Sequence, residues 1–168
     1  EDGMQVAAHP HTNLQTFTWM LEGEVLHQDS LGNRQTIRQK QVNLMTAGTG
    51  DNHGISHTEQ TPEGIKTLHA VQLWIALPMH KTIAPDFRHY PEMPEWSDNG
   101  TDFVLVNGSF AGRTAPTEQY SPLLGLDIRT HQAQTLEIPA QAGWEYGVLV
   151  LKGEVEIDGQ TFTQDELA

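Results

Sequence analysis

The sequence predicts an all-β protein, and three observations support this. Apolar and β-branched segments are short, and Gly, Pro, Asn or Asp separates them at intervals of about ten residues, as in sandwiches and barrels. No stretch keeps the 3.6-residue apolar period of an amphipathic helix. A five-residue pattern also recurs, as LEGEV at 21–25 and LKGEV at 151–155, which indicates two related β units.

The predicted strands follow one another with turn residues between them. Residues 16–21 (TFTWML) are β-branched, aromatic and apolar, and they run into a turn at 22–24 (EGE). The segment 25–27 (VLH) comes next and leads to 29–33 (DSLGN), whose residues favour tight turns. The remaining strand candidates are 42–46, 68–77, 103–106, 123–128, 135–138, 146–151, 155–157 and an unfinished strand at 160–163.

A proline-rich break divides the chain. Pro85, Pro91 and Pro94 interrupt any regular element between residues 78 and 99. The predicted organisation is therefore an N-terminal β unit, a linker and a C-terminal β unit, at 1–80, 81–100 and 101–168. The chain begins at Glu1 without an initiator Met and stops just after the candidate strand at 160–163, so we expect it to be truncated at both termini.

Composition excludes several classes of protein. Nine Lys and Arg against 22 Asp and Glu give a net charge of −13, which opposes direct binding to nucleic acid. No apolar run approaches the roughly 18 residues of a membrane-spanning helix. The absence of cysteine excludes disulfides, thiolate metal sites and a thiol nucleophile. The first residues also lack the basic and apolar regions of a signal peptide, so we expect a cytoplasmic protein.

Two pairs of polar residues carry the strongest chemical signal. His9 and His11 are two positions apart, as are His57 and Glu59, and alternate residues of a strand face the same side. Three imidazoles and a carboxylate suit Fe(II), and equally Mn, Ni, Cu or Zn. Neither pair is specific alone, since nine histidines in 168 residues produce such spacings by chance. Pro10 removes a backbone donor and places its segment at a sheet edge or in a loop.

Longer motifs resemble those of the pirin family and span nearly the whole chain. The strongest blocks are HPH at 9–11 followed by TFTWMLEGE at 16–24, then HQDSLGN at 27–33, and MTAGTG at 45–50 leading to GIS at 54–56 and HTE at 57–59. The segments LWIALP at 73–78 and YSPLL at 120–124 add to the resemblance.

This resemblance implies a bicupin fold, two packed jelly-roll-type cupin β-barrels, with a metal in the N-terminal barrel only. It places the metal ligands at His9, His11, His57 and Glu59 and implies iron as the usual metal. The internal repeat agrees, because it aligns His9 and His11 with Pro139 and Gln141, so the second unit lacks this histidine pair. A protein of this family is expected to be a monomer.

The chain departs from the family pattern at two places. Gln15 stands where the family commonly has Glu, which removes a charge near the site. Residues 51–53 (DNH) resemble an insertion, so His53 is either an additional ligand or a solvated loop residue, and we favour the loop.

Other residues near the motifs have simpler interpretations. We interpret His27 as structural, and His69 either as a core residue or as one that contacts the site. Trp19 and Trp74 are explained by a β core rather than by flavonoid stacking.

The resemblance implies a metal-dependent dioxygenase similar to quercetin 2,3-dioxygenases, which open the central ring of flavonols with dioxygen and release carbon monoxide. Glu59 would accept the proton of the substrate hydroxyl. The alternative is a metal-binding, redox-responsive regulatory protein of pirin type that binds a protein partner. A barrel that never binds metal in the cell is the third hypothesis.

Overall fold

The computed structural model describes residues 3–51 and 53–168 and contains strands but no helix over these ranges. The strands in chain order are β1 (Gln5–His11), β2 (Leu14–Glu22), β3 (Val25–Asp29), β4 (Arg34–Ile37), β5 (Val42–Thr46), β6 (Ile55–Gln60), β7 (His69–Ala76) and β8 (Asp86–Tyr90). They continue with β9 (Glu95–Asp98), β10 (Thr101–Asn107), β11 (Ser109–Phe110), β12 (Arg113–Thr114), β13 (Gly125–Thr130), β14 (Glu154–Ile157) and β15 (Gln160–Thr163). The all-β prediction is confirmed. The part of the chain that the structure describes has no helix long and apolar enough to cross a membrane.

Two four-stranded antiparallel sheets dominate the first half. One has the order β1-β6-β3-β4 and the other β7-β2-β5-β8. Met20 of the second sheet packs with Val25 and Ile37 of the first, and all three are almost fully buried. The two sheets therefore face each other, and side chains from both form the core.

Smaller sheets occupy the rest of the chain. A three-stranded sheet has the order β13-β10-β9, and β11 with β12 and β14 with β15 form two-stranded sheets. The chain forms two compact units, Glu1–Gln132 and Ala133–Ala168. In the second unit, β14 and β15 are accompanied by an isolated bridge between Leu149 and Leu167.

Most predicted strands are present, but the candidates at 135–138 and 146–151 are wrong. Residues 135–138 form no strand, and 146–151 contribute only the bridge at Leu149. The predicted linker at 81–100 contains two strands, since β8 pairs with β5 and β9 pairs with β10. Its prolines lie outside these strands, which agrees with the missing backbone donor of proline.

A glycine with positive φ makes the tight turn between β2 and β3. Gly23 has φ +82°, and a Cβ placed there would lie 2.0 Å from the backbone oxygen of Thr67. Gly32 has a similar φ of +92°, but a Cβ there would have no neighbour within 4 Å.

We expect Gly23→Ala to reduce the free energy of unfolding by roughly 2–4 kcal/mol, because the methyl group adds a backbone clash to the strain of positive φ. Gly32→Ala is the matched control and should cost about 1–2 kcal/mol, the strain alone. Urea unfolding of both variants measures the difference. Equal losses would show that the chain near Thr67 moves aside without cost.

Candidate metal centre

Two neighbouring strands carry all four predicted metal ligands. His9 and His11 lie on β1, while His57 and Glu59 lie on β6. The strands pair antiparallel with His9 opposite His57. Since side chains two positions apart leave a strand on the same face, this register brings the imidazoles of both strands together. Strand β1 is the edge of its sheet, as the proline between its two histidines predicts.

The three imidazoles form a compact cluster. One ring nitrogen from each of His9, His11 and His57 lies within 4.8 Å of the other two. The Nε2 atoms of His9 and His57 are 3.0 Å apart. Two nitrogens bound to one ion at about 2.1 Å and at a right angle are about 3.0 Å apart, so this spacing suits a common metal ion. His11 and His57 are buried, whereas His9 is partly exposed.

Among the described residues, Glu59 does not join the group of three imidazoles. Its carboxylate, the His57 ring and the His27 ring each supply one ligand atom to a second group within 4.8 Å. Glu59 Oε1 accepts a hydrogen bond of 2.9 Å from Gln72 Nε2, which also donates to Thr18 Oγ1 at 3.1 Å. Gln72 lies on β7, so the facing sheet holds this carboxylate in place. Burial raises the pKa of Glu59 above its usual value, although the Gln72 hydrogen bond opposes this change.

The two buried imidazoles of the cluster, His11 and His57, are arranged to remain neutral. Burial, followed by repulsion from the neighbouring His27, His9 and His11, lowers the pKa of His57 to about 3. Burial, followed by repulsion from His9, also lowers the pKa of His11. A neutral imidazole has the free lone pair that a metal requires, so the donor set fits a divalent cation. The cluster is therefore able to bind a metal ion.

His27, which the sequence predicts to be structural, lies beside the His57 ring. The two Nδ1 atoms are 3.3 Å apart. On its other side the His27 ring stacks on Phe87 of β8, with centroids 4.3 Å apart and planes inclined by 11°. The available sequence signal was the spacing of His27 and Asp29, which is the same alternation as in the other two pairs.

The Gln15 side chain is fully buried and bonded within the fold. Its Nε2 donates to Thr46 Oγ1 at 3.0 Å and to the backbone oxygen of Glu118 at 3.4 Å. The Glu118 carbonyl only accepts, so an amide can bond to it and a carboxylate cannot, which favours Gln at this position.

The two remaining candidate histidines lie apart from the cluster. His53 directs Nδ1 at the backbone oxygen of Gly50, and among the described residues it joins no group of metal-type ligands. Asn52, in the middle of the suspected insertion, lies outside the described residues. His69 is exposed at the start of β7, opposite Glu22, so it is neither a core residue nor one that contacts the site.

The two tryptophans assigned to the core differ in the structure. Trp19 is buried, as predicted, and donates from Nε1 to Asp127 Oδ2 at 2.9 Å. The assignment of Trp74 to the core is wrong, because its side chain is 67% exposed. Its ring meets the His11 ring edge to face, with centroids 5.1 Å apart, so an aromatic surface borders the cluster.

Comparison with known proteins gives consistent matches. The pirin family model matches residues 1–75. A Pseudomonas aeruginosa protein provisionally named quercetin 2,3-dioxygenase is 52% identical over 99% of this chain and 52% of its own length. The Escherichia coli K12 protein named quercetin 2,3-dioxygenase is 38% identical over 100% of this chain and 68% of its own. The chain thus spans about half the length of the Pseudomonas relative.

Solved structures match over nearly the whole chain. A quercetin 2,3-dioxygenase from Acinetobacter baumannii aligns with a TM-score of 0.92 and 46% identity, over 98% of this chain and 54% of that one. The bacterial pirin YhhW from E. coli, solved in complex with nickel(II), aligns with a TM-score of 0.68 and 27% identity, over 98% and 66% of the two chains. The imidazole cluster, the all-β fold and these relatives all agree, and they show that the chain belongs to the pirin family.

Proposed function

We propose that this chain is the metal-binding part of a dioxygenase that acts on flavonol-type substrates, opening the central ring with dioxygen and releasing carbon monoxide. The observation that carries the proposal is the cluster of three imidazoles on β1 and β6. It is supported by the identity of 52% to a relative provisionally named for this activity.

His9, His11, His57 and Glu59 would hold the metal, and iron(II) is the ion we propose. Imidazole and carboxylate ligands also accept Mn, Ni, Cu or Zn, so the protein alone does not restrict the choice to iron. The bound metal supplies Lewis acidity, which lowers the pKa of a coordinated substrate hydroxyl.

The residues around the metal position have separate tasks in this proposal. Glu59 accepts the proton of the flavonol 3-hydroxyl, and its raised pKa makes it a stronger base than an exposed glutamate once it is ionised. Gln72 donates to Oε1, so it fixes the direction of the carboxylate and leaves Oε2 for the proton. The exposed Trp74 ring beside His11 offers a flat apolar surface for the substrate rings.

The bicupin organisation is part of the same proposal. The two sheets β1-β6-β3-β4 and β7-β2-β5-β8 would be the metal-carrying N-terminal barrel, predicted at 1–80, with β8 added from the predicted linker at 81–100. Residues 101–168 would belong to a second barrel without metal ligands. The whole protein would act as a monomer on a small molecule and dioxygen.

A combined measurement of metal and oxygen tests the function. We expect the purified protein to contain about one metal ion per chain by elemental analysis. Loaded with Fe(II), it should consume oxygen with quercetin and bleach the yellow flavonol absorbance only when oxygen is present. The double variant His9→Ala/His11→Ala should lose both the metal and the bleaching. A wild type that holds metal without turnover would contradict the dioxygenase and favour a metal-responsive regulatory protein with a protein partner.

A further inference from the structure

Three buried polar side chains form a line that ends at the cluster of three imidazoles. Asp29 Oδ2 and His27 Nε2 are 3.0 Å apart, and His27 Nδ1 and His57 Nδ1 are 3.3 Å apart. The His27 side chain is 3% exposed and the Asp29 side chain is fully buried. On its far edge, His57 directs Nε2 at His9 Nε2.

The Asp29 end of the line sets the direction of its hydrogen bonds. Asp29 Oδ1 accepts from the backbone nitrogens of Leu31 and Asn33, and both carboxylate oxygens accept from Asn33 Nδ2. A carboxylate surrounded by these donors acts as an acceptor only. The hydrogen of a neutral His27 ring therefore lies on Nε2, facing Asp29.

The position of the hydrogen on His57 follows from that on His27. With its hydrogen on Nε2, the His27 ring has a lone pair on Nδ1, and this lone pair faces His57 Nδ1. His57 must then donate from Nδ1, which leaves its Nε2 without hydrogen and directed into the cluster. The His27 ring cannot turn away easily, because it lies between His57 and the stacked ring of Phe87.

His9 also has an acceptor at its Nδ1, and it shows what such an acceptor does. His9 Nδ1 donates to the backbone oxygen of Ala7 at 2.9 Å, which leaves a lone pair on its Nε2 as well. The Nε2 atoms of His9 and His57, each with its lone pair, are 3.0 Å apart, so a cation must lie between them, a proton in the metal-free protein or a metal ion. Histidines that bind metals commonly donate their other ring nitrogen to a carboxylate, carbonyl or water. For His57 this acceptor is a second imidazole, which is itself held by a carboxylate.

We propose that His27, held by Asp29, is a positioning residue that keeps His57 in the tautomer with Nε2 free and so sets the metal affinity of the cluster. The part concerning affinity rests on the proposed metal function, whereas the tautomer of His57 is a property of the metal-free protein. An experiment can therefore contradict the effect on metal affinity and the tautomer of His57 separately.

The variant His27→Phe tests the proposal. Phe retains an aromatic ring to stack on Phe87 but removes the acceptor for His57 Nδ1. In the chelator-treated wild type, ¹⁵N NMR of the imidazoles should show the hydrogen of His57 on Nδ1. In His27→Phe the hydrogen should move wholly or partly to Nε2, and titration calorimetry with Ni²⁺ should give about 10- to 100-fold weaker binding.

Two further variants separate positioning from a structural role. His27→Gln places an amide oxygen near His57 Nδ1 and should restore part of the Ni²⁺ affinity. His69→Phe, at an exposed position, should change neither the tautomer nor the affinity. A wild-type His57 with its hydrogen on Nε2, or a His27→Phe variant with unchanged tautomer and affinity, would overturn the proposal. Wild-type protein that shows the expected tautomer but binds no Ni²⁺ would support positioning and contradict the metal function.

Discussion

His57→Asn is expected to abolish stoichiometric metal binding, the largest effect of any single substitution in the cluster. The His57 ring touches His9, His11 and His27, so its removal takes a ligand from the centre of the group. We expect Ni²⁺ or Fe(II) affinity to fall by more than about 100-fold, beyond the loss usual for residues that only support a ligand. Titration calorimetry and elemental analysis of the purified variant measure this.

The control for this substitution is His69→Asn, which replaces an exposed histidine of β7 and should leave the affinity unchanged. Because His57 is buried, circular dichroism of the metal-free variant must show that it is folded. A folded His57→Asn protein that binds one metal ion as tightly as wild type would refute the assignment of His57 as a ligand.

Glu59→Gln is expected to reduce quercetin turnover by about 10²- to 10⁴-fold, the usual contribution of a general base. The amide keeps the size of the side chain but cannot accept the substrate proton as a carboxylate does. Metal should still bind through the three imidazoles, with some loss of affinity. Turnover per bound metal, measured by oxygen consumption, separates the base role from the ligand role.

Glu63→Gln is a matched control, since Glu63 is exposed and lies in the loop that follows β6. It should leave both turnover and metal content as in wild type. If Glu59→Gln turned over quercetin at the wild-type rate per bound metal, the proton acceptor would have to be a different group.

The strands that sequence reasoning finds are those whose buried face is apolar. β2 and β5 contain the buried Phe17, Trp19, Leu44 and Met45, and turn residues lie beside both strands. β1 and β6 are not predicted as strands, because polar side chains hold most of their inward positions: His9 and His11 in β1, and His57 and Glu59 beside Ile55 in β6. Residues 135–138 show the opposite error. Polar and apolar residues alternate there, but these residues are exposed and form no strand.

The candidate site could be predicted in part. The His9–His11 and His57–Glu59 spacings are local, and a strand brings each pair to one face whatever the rest of the fold does. The position of His27 depends on the pairing of β3 with β6, and those of Phe87 and Gln72 depend on how the two sheets face each other. No local pattern contains either relation. A large aromatic residue in a strand is usually buried, so the sequence predicts Trp74 in the core, whereas in the structure it borders the cluster.

The placement of His9 and His11 on the outermost strand of a sheet links metal exchange to backbone motion. Among the described residues, β1 is paired only along β6, so its free side has no neighbour to hold it. A cation bound by both strands would hold β1 against β6. Fraying of β1 would then remove two of the ligands of the cation, His9 and His11, at the same time. Release of the ion and separation of β1 from β6 would then be a single event. In metal-loaded protein, the β1 amide hydrogens that are bonded to β6 would exchange only as fast as the ion is lost.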